Sequence, residues 1–368
     1  MPNSVKYFDS TMSGAPSLSG TAGALIGVLD ACLVDGFGSV TVDSLVVASN
    51  VVTATVSAGH QFAMVGNTGP VIRIAGATPS GLNGDWRVTV TSSTAFTFAT
   101  SGISDQTATG TISAKRAPAG FSKAFSGTDK AVYRSDDITG TRLFCRIDDA
   151  YTTYSRIRGY EAMSDVDTGT GLFPTDAQIS GGGYVFKANG TNRAWTLFSD
   201  GRAVYFSCDT NGNATWWGGF CFFDIDSYVA SDAFGCGLIY VINSSSSLPN
   251  LHSLGITTGS VLARASNQLG GSLLSARYSH SKTSSLGNGG EAYPAAADNS
   301  VHLARVECWE GTTVSRGLMP GLWNPVHSSP LTQGLVIENI PSLPNRTLLA
   351  QLISASYGCA IDITGPWR

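Results

Sequence analysis

The chain has 368 residues and a formal net charge of −4, and only 13% of its residues are Asp, Glu, Lys or Arg. This balance gives no extended basic surface for nucleic-acid binding by counterion release, so we expect neither DNA nor RNA as a partner. No apolar run reaches the roughly 20 residues that span a bilayer, and the opening residues MPNSVKYFDS lack an apolar signal core. We therefore expect that the protein does not insert into a membrane and that it is made in a cytoplasm.

Composition also predicts the fold class. Gly occurs 43 times, Ser and Thr are abundant, and the strong helix formers Lys and Glu are scarce. This composition favours strands and turns over helices, and at about 100 to 200 residues per domain the length corresponds to two or three domains. We predict a mainly β protein, in which a short N-terminal helix is followed by a small β-sandwich or barrel module and then by a larger antiparallel β-sandwich-like domain.

Residues 1–36 contain the one predicted helix. The apolar positions that recur at helical spacing include Leu25, Ile26, Leu29 and Leu33. They predict a helix over 21–34, and Asp35-Gly36 provides its C-terminal stop. Because an isolated helix of this length is marginally stable, it must pack against another part of the chain or a neighbouring subunit. We interpret 1–36 as a docking segment and these four side chains as candidate interface residues.

Residues 37–116 follow a different pattern. They contain six short β-type runs, namely SLVVA, VVTATV, VIRIAG, DWRVTV, AFTFAT and TATGTI. Turn residues separate these runs about every 8 to 12 positions, which predicts the small sandwich or barrel. The segment KRAPAG at 115–120 is predicted to be the linker to the next domain.

Residues 117–368 are predicted to form the larger β domain. Its stretch Tyr184–Tyr240 holds 14 of the chain's 35 aromatic residues, so we predict that it is an antiparallel meander at the centre of the core. The turn dipeptides that favour tight hairpins there are Asn189-Gly190, Asp200-Gly201 and Asn211-Gly212. The run NSSSSLPN at 243–250 marks a further subdivision.

The adjacent residues Trp216 and Trp217 complete the set of candidate interface residues. Neighbouring strand residues point to opposite faces, so one of the two indoles can face an interface or solvent. The other aromatic side chains of the stretch are interpreted as core and not as a sugar-binding platform.

The sequence predicts no metal and no cofactor. Seven cysteines without a CxxC motif are interpreted as buried, reduced thiols. The runs DVDTGTG, from Asp165, and DTNGN, from Asp209, alternate oxygen-bearing side chains as calcium loops do. Both lack the Gly and Glu that an EF-hand loop requires, so we interpret them as Asx turns.

Three carboxylate pairs have the residue types that glycoside cleavage uses: Asp136-Asp137, Asp148-Asp149, and Asp224 with Asp226. Asp148 and Asp149 are expected on opposite faces of a strand, so they would not share a site. Asp224 and Asp226 would share a face, but polar residues at the end of a buried strand are the simpler explanation for them. The histidines are scattered and there is no GxSxG or HExxH motif, so we predict no enzyme and no catalytic residue.

Several passages resemble a known class of protein. The opening KYFDSTMSGAPSLSGTAGALIGVLDACLVDGFG and the closing RGLMPGLWNPVHSSPLTQG with ITGPWR resemble virion structural proteins encoded in the tail-gene region of tailed bacteriophages and prophages. Four inner passages are similar to the same kind of protein, namely VTATVSAGHQF, IAGATPSGLNGDWRV, SGTDKAVYRSDD and RIRGYEAMSDVDTGTGLFPT. The resemblance therefore touches nearly the whole chain.

The resemblance implies a non-enzymatic component of the phage particle, in the tail or baseplate, that contacts other virion proteins. It implies a homo-oligomer, as a trimer or hexamer of symmetric copies, made in the bacterial cytoplasm and located in the virion. Two alternatives stay open: an adhesin that binds a host cell-surface glycan, and a capsid decoration protein. A polysaccharide depolymerase is the more distant enzymatic alternative. The resemblance transfers no catalytic residues.

Overall fold

The computed structural model describes residues 4–187, 190–243, 255–279, 294–296, 298–327, 331–354 and 357–368. The fold is mainly β, as predicted, and begins with strand β1, Lys6–Asp9. Helix α1 spans Ala24–Leu29 and continues as a π-helical segment over Asp30–Asp35. The predicted helix over 21–34 is thus confirmed, with a later start because Gly23 precedes it in the left-handed conformation. None of the helices in the described ranges has the length and apolar character that crossing a bilayer requires.

Residues 37–116 form a small antiparallel β-sandwich. Its strands are β2 Phe37–Thr41, β3 Ser44–Ala48, β4 Val51–Thr55, β5 Val71–Ala75, β6 Gly84–Arg87, β7 Thr89–Ser92, β8 Ala95–Ala99, β9 Gln106–Thr107 and β10 Ser113–Arg116, with a 3₁₀ turn at Ser80–Leu82. One sheet has the order β2-β10-β5-β6 and the other the order β7-β8-β4-β3-β9. Leu45 and Phe96 from one sheet share a core with Ile72 and Ala114 from the other. Packing between two faces explains the alternating apolar residues along these strands.

Three predictions within the small sandwich are wrong. The run TATGTI is not a strand, because β9 ends at Thr107 and β10 begins only at Ser113. The run DWRVTV is not one strand, because β6 ends at Arg87 and β7 begins at Thr89 in the opposite sheet. The segment 115–120 is not a linker, because its first two residues end β10 and Arg116 is buried. The Arg116 guanidinium donates a 2.9 Å hydrogen bond to the Gln61 carbonyl. The sequence predicts Arg116 in a linker, whereas its charged guanidinium is buried and hydrogen-bonded in the fold.

The rest of the chain adds three sheets. The first strands are β11 Phe121–Gly127, β12 Lys130–Ser135, β13 Phe144–Asp148, β14 Tyr154–Tyr160, β15 Ala162–Met163, β16 Gly169–Thr170 and β17 Gly183–Phe186. The later strands are β18 Trp195–Ser199, β19 Ala203–Asp209, β20 Trp217–Asp224, β21 Asp226–Ser227, β22 Cys236–Ile239, β23 Gly255–Leu262, β24 Leu273–Ser279, β25 Leu303–Glu310, β26 Val314–Pro325, β27 Val336–Ile337, β28 Leu348–Ser354 and β29 Tyr357–Asp362.

These strands pair in an antiparallel manner throughout. A five-stranded sheet has the order β11-β12-β13-β14-β17, and β15 pairs with β16. A thirteen-stranded sheet has the order β1-β18-β19-β20-β22-β23-β24-β25-β26-β29-β28-β27, with β21 paired to β26. The strands β18, β19, β20 and β22 are neighbours in that order, so the predicted core meander is confirmed from Trp195 onwards.

The meander strands are covered on both faces. One face shares a core with helix α1 and the five-stranded sheet, which includes Trp195, Phe220 and Ile147. The long sheet curls so that the other face shares a second core with its own later strands, which includes Phe223 and Met319. All residues of β18, β19, β20 and β22 are buried as a result. Two-sided cover explains why this stretch is so densely apolar.

One predicted hairpin in this region is wrong. The strands on either side of Asn189-Gly190, β17 and β18, belong to different sheets, so the chain crosses between layers there. Asn189 itself lies outside the described residues, as do residues 244–250 of the predicted subdivision. The turn at Asp200-Gly201 does join β18 to β19, with Gly201 at φ 89°.

The N-terminal segment and the small sandwich are both joined to the larger body. Strand β1 pairs with β18, where Tyr7 is opposite Phe198. From the small sandwich, the Arg87 guanidinium donates to the carbonyls of Val5 and Thr364, both at 3.0 Å. Because these carbonyls come from both ends of the chain, one side chain connects three segments.

Candidate functional site

The predicted interface residues of the helix are located in the protein's own core. Leu25, Leu29 and Leu33 are at most 2% exposed, and Ile26 is half-buried against the same core. The helix therefore packs against another part of its own chain, which was one of the two alternatives, the other being a neighbouring subunit. The interpretation of Leu25, Leu29 and Leu33 as a surface for a partner is wrong, because these side chains are already covered, whereas that of the half-buried Ile26 stays a prediction.

The two adjacent tryptophans differ in exposure. Trp217, the first residue of β20, is buried, and its indole N–H donates a 3.0 Å hydrogen bond to the Ala214 carbonyl. Trp216 is half-buried. Trp216 therefore has the more accessible indole of the pair, and Trp217 is a core residue.

The candidate carboxylate pairs are engaged in structural contacts. Asp148 and Asp149 lie on opposite faces, as predicted, with Asp149 fully buried. Asp224 is also buried, and its carboxylate accepts hydrogen bonds from the Thr141 N–H at 2.8 Å and from Arg202 Nε at 3.1 Å. Since these contacts occupy Asp224, it anchors a turn of the neighbouring sheet.

Two other acidic residues behave differently from Asp224. Asp226 is half-buried and lines an open cavity of about 520 Å³. Asp137 accepts a 2.9 Å hydrogen bond from the Thr139 N–H, as in an Asx turn. Asp232 also lines the cavity beside Asp226, but its carboxylate pairs with Arg316 at 2.7 Å, so neither arrangement leaves a free pair of carboxyl groups.

The calcium-like runs form Asx turns, as predicted. The Asp165 carboxylate accepts the N–H groups of Asp167 at 2.7 Å and Thr168 at 3.0 Å. The Asp209 carboxylate accepts those of Asn211 at 3.1 Å and Gly212 at 3.0 Å. The oxygens that could bind a cation thus bind the backbone. Among the described residues, no three His, Cys, Asp or Glu side chains are grouped to hold a metal ion.

A site that the sequence did not predict lies on the outer face of the five-stranded sheet. Strand alternation turns Ser155 and Ile157 into the core and leaves Tyr154, Arg156 and Arg158 on the outside. The strand register places one row of outer residues side by side across β12, β13, β14 and β17: Lys130, Asp148, Arg156 and Tyr184. The result is a row of alternating charge that ends on an aromatic ring.

Of these outer residues, Asp148, Arg156 and Arg158 line an open cavity of about 310 Å³, which we call the outer cleft. Its lining includes Arg146, Tyr151, Arg156, Arg158, Tyr160 and Asp167. The strands supply the arginines, whereas Tyr151 and Asp167 come from loops that follow β13 and β15. The outer cleft is therefore assembled from segments that are adjacent only in the folded sheet.

An aromatic strip extends from the outer cleft, which Tyr151 lines, through Tyr154 to Tyr184. The rings of Tyr151 and Tyr154 stack at 4.5 Å with an interplanar angle of 20°, and Tyr154 meets Tyr184 edge to face at 5.0 Å. The Arg156 guanidinium carbon lies 3.7 Å from the Tyr184 ring centroid, within cation–π distance. Burial raises the pKa of the Tyr154 hydroxyl, and Tyr151 and Tyr184 raise it further. The Tyr154 hydroxyl is thus neutral at physiological pH and can donate a hydrogen bond.

Most of the cations around the outer cleft have carboxylate partners. Arg146 pairs with Asp167 and with Asp148, Lys130 pairs with Asp167 at 2.9 Å, and Arg158 pairs with Asp176. Hydrogen bonds from Lys130 and Arg146 hold the pKa of Asp167 below its usual value. The Gly181 N–H and Arg158 lower the pKa of Asp176 in the same way. Both carboxylates are therefore charged at neutral pH.

Arg156 is the exception among these cations. Its guanidinium donates to the Ser180 carbonyl, and it forms no ion pair within the described part of the chain. Two nitrogens, Arg156 Nη1 and Arg158 Nε, are buried without a hydrogen-bond partner. Buried N–H groups of this kind are normally satisfied, so the outer cleft has donors for a ligand or for water.

Part of the outer cleft could have been predicted. The alternation in YSRIRGY places Arg156 and Arg158 on one face of a strand. Nothing in the sequence indicates that Tyr184 would lie beside Arg156, because that pairing depends on sheet order. No protein-family model matches the chain, and no curated protein matches it.

Proposed function

We propose that the protein is a non-enzymatic structural component of a tailed-bacteriophage particle, in the tail or baseplate. The observation that carries the proposal concerns the two terminal passages that resemble virion proteins. Tyr7 from the opening passage packs against the core that contains Ile363 and Trp367 from the closing passage. The resemblance at both ends therefore belongs to one folded unit, which supports a single structural role.

The interior contacts support a rigid, non-enzymatic body. Buried Asp149 pairs with Lys187 at 2.7 Å, and Arg316 pairs with Asp232 at 2.7 Å. Asp224, which is bound to Arg202, also accepts a hydrogen bond from the Thr141 N–H of the neighbouring sheet, so three buried carboxylates hold different elements together. Charged groups that are fixed in this way stabilise relative positions and are poorly suited to proton transfer.

The experiment that tests this proposal locates the protein in the particle. Gold-labelled antibody against the chain, or a density map of the intact virion, separates the tail, the capsid and the free pool. We expect label at the tail or baseplate. Label on the capsid would contradict the proposal and indicate a capsid decoration protein. Protein found only in the free pool would exclude any role in the virion.

The proposal includes assembly with other virion proteins as symmetric copies, as a trimer or hexamer. Most homo-oligomers have closed symmetry, so identical copies of one chain usually assemble as a closed ring. Light scattering of the purified chain gives its mass directly, and we expect three or six copies. A monomer at all accessible concentrations would mean that assembly depends on other virion proteins.

A glycan-binding adhesin is the second candidate, because the outer cleft combines tyrosines and arginines on an open face. Binding of the purified chain to host cells or to lipopolysaccharide tests this alternative. We expect saturable binding if it holds. This result is independent of where the protein is located in the particle.

A further inference from the structure

We propose that the outer cleft binds a saccharide that carries a carboxylate, with the sugar ring on Tyr151 and the carboxylate on Arg156. The inference rests on the adhesin candidate, and it names the ligand class of that site. It does not depend on a tail or baseplate location. Both proposals can therefore fail separately.

The aromatic strip provides the surface for the sugar ring. Tyr151 is 44% exposed, which is unusual for a large side chain that also stacks on a neighbour. Tyr154 supports it from behind, and Tyr184 supports Tyr154 in turn. A ring held in this way is already oriented for the apolar C–H face of a pyranose, so little side-chain freedom is lost on binding.

The charge balance around the outer cleft indicates a ligand with one negative charge. Four cations, Lys130, Arg146, Arg156 and Arg158, surround three carboxylates, Asp148, Asp167 and Asp176. Four positive and three negative charges leave one positive charge, and Arg156 is the cation without an ion pair. A carboxylate matches the planar fork of an arginine and binds it through two parallel hydrogen bonds.

Arg156 is also positioned for this contact. The Tyr184 ring holds one face of the guanidinium at 3.7 Å. The nearest carboxylate in the register, Asp148, pairs with Arg146 at 3.5 Å and not with Arg156. Arg156 is thus fixed in place without a counter-ion: Nη2 donates to the Ser180 carbonyl, and Nη1 has no hydrogen-bond partner of its own.

The same three carboxylates argue for a sugar and against a phosphate-rich polymer. A polyanion would meet Asp148, Asp167 and Asp176 as well as the arginines, and like charges at this distance repel. Sugar hydroxyls instead need acceptors, which carboxylates provide. The cavity of about 310 Å³ is at the small end of ligand sites, which suits one or two sugar rings.

The test compares two disaccharides that differ in one group. Cellobiouronic acid carries a carboxylate where cellobiose carries a hydroxymethyl group, and inorganic phosphate serves as the anion without a sugar. Calorimetric titration of the full chain should give an affinity for cellobiouronic acid about tenfold or more above that for cellobiose. Binding of phosphate should be weaker still.

Three variants assign the contacts. Arg156→Gln should remove the preference for the acid and bring its affinity down about tenfold, to that for cellobiose. Tyr151→Ala, at an exposed position, should weaken both disaccharides by a similar factor. The matched control is Arg305→Gln, because Arg305 also stacks on an aromatic ring, Trp323 at 5.3 Å, outside the outer cleft. It should leave both affinities unchanged.

Each contrary result has a definite meaning. Equal affinity for the two disaccharides in the wild-type chain, or no measurable binding to either, would overturn the proposal. Phosphate binding as tight as that of the acid would show a simple anion site and would also overturn it. If Arg156→Gln does not fold, Arg156→Lys keeps the charge but loses the fork, and its preference for the acid should fall below that of the wild type. None of these results changes the location of the protein in the particle.

Discussion

Lys187 and Asp149 form an ion pair with a distance of 2.7 Å, and both side chains are fully excluded from solvent. Asp149 also accepts a 2.8 Å hydrogen bond from the Leu25 N–H at the start of helix α1. Lys187 donates a second hydrogen bond, at 2.7 Å, to the Thr21 carbonyl just before the helix. The pair thus replaces the N-cap side chain that the helix lacks, and it joins the helix to the five-stranded sheet.

Removal of one partner of this pair should be costly. We expect Lys187→Met to lower the free energy of unfolding by about 3–5 kcal/mol, because Asp149 would remain buried without its counter-ion. Urea denaturation measures the change. The matched control is Lys130→Met, which removes a half-buried partner of the exposed Asp167 and should cost about 1 kcal/mol or less. Equal losses in the two variants would contradict the assigned role of the buried pair.

The same contacts show which parts of the fold were predictable. The apolar period of Leu25 and Leu29 identified the helix, and the aromatic density identified the meander, because both are local patterns. The partner of the helix was not predictable, since Asp149 lies 124 residues from Leu25. The apolar residues of the helix were assigned to an interface because the sequence reveals that the helix has an apolar face. It does not reveal which part of the protein packs against that face.

The outer cleft illustrates the same limit. The alternation around Arg156 is a local pattern, and it places that side chain on a strand face. Its contact with Tyr184 depends on the pairing of β14 with β17, across the inserted hairpin β15–β16. Aromatic residues of the central stretch were interpreted as core, and Tyr184 is a member whose ring instead stacks on the half-buried Arg156 guanidinium.

Two glycines should respond in opposite directions to replacement by alanine. A Cβ at Gly219 would lie 1.9 Å from the Phe206 carbonyl oxygen of the neighbouring strand, so Gly219→Ala must displace the backbone. We expect a loss of about 1–3 kcal/mol or more. Gly27, on the exposed side of helix α1, has no atom within 4 Å of such a Cβ. Gly27→Ala should therefore gain about 0.5–1 kcal/mol.

Thermal or urea unfolding of both glycine variants tests this pair. The two substitutions add the same methyl group, so composition alone predicts no difference between them. A Gly219→Ala protein as stable as the wild type would mean that β19 and β20 are further apart than described.

The seven cysteines should be unreactive in the folded protein. All seven are free and buried, and desolvation raises the pKa of Cys308 to about 11 and that of Cys359 to about 12. Thiolate is the reactive form, so both burial and protonation protect these groups. We expect no alkylation by iodoacetamide at about pH 8, near the usual thiol pKa, and seven additions after denaturation, counted by mass spectrometry. Rapid labelling of any cysteine in the native protein would show that the structure around that cysteine opens to solvent.

The ion pairs of the outer cleft should make a pH-dependent contribution to stability. The pKa of Asp167 is lowered in the folded chain by hydrogen bonds from Lys130 and Arg146. A carboxyl group with a lowered folded pKa stabilises the protein above its unfolded pKa, about 3.9, and this contribution is lost as the pH falls through the folded value. Asp167→Asn should therefore be less stable than the wild type at neutral pH, by at most about 1 kcal/mol at this exposed site.

Urea denaturation at several pH values measures this difference. The gap between Asp167→Asn and the wild type should be constant from about pH 5 to pH 7 and should close below the ordinary aspartate pKa. Asp226→Asn is the control, because Asp226 forms no ion pair in the described ranges of the chain. A gap that widened on acidification would show the opposite sign of linkage, and Asp167 would then be held by contacts that favour its protonated form.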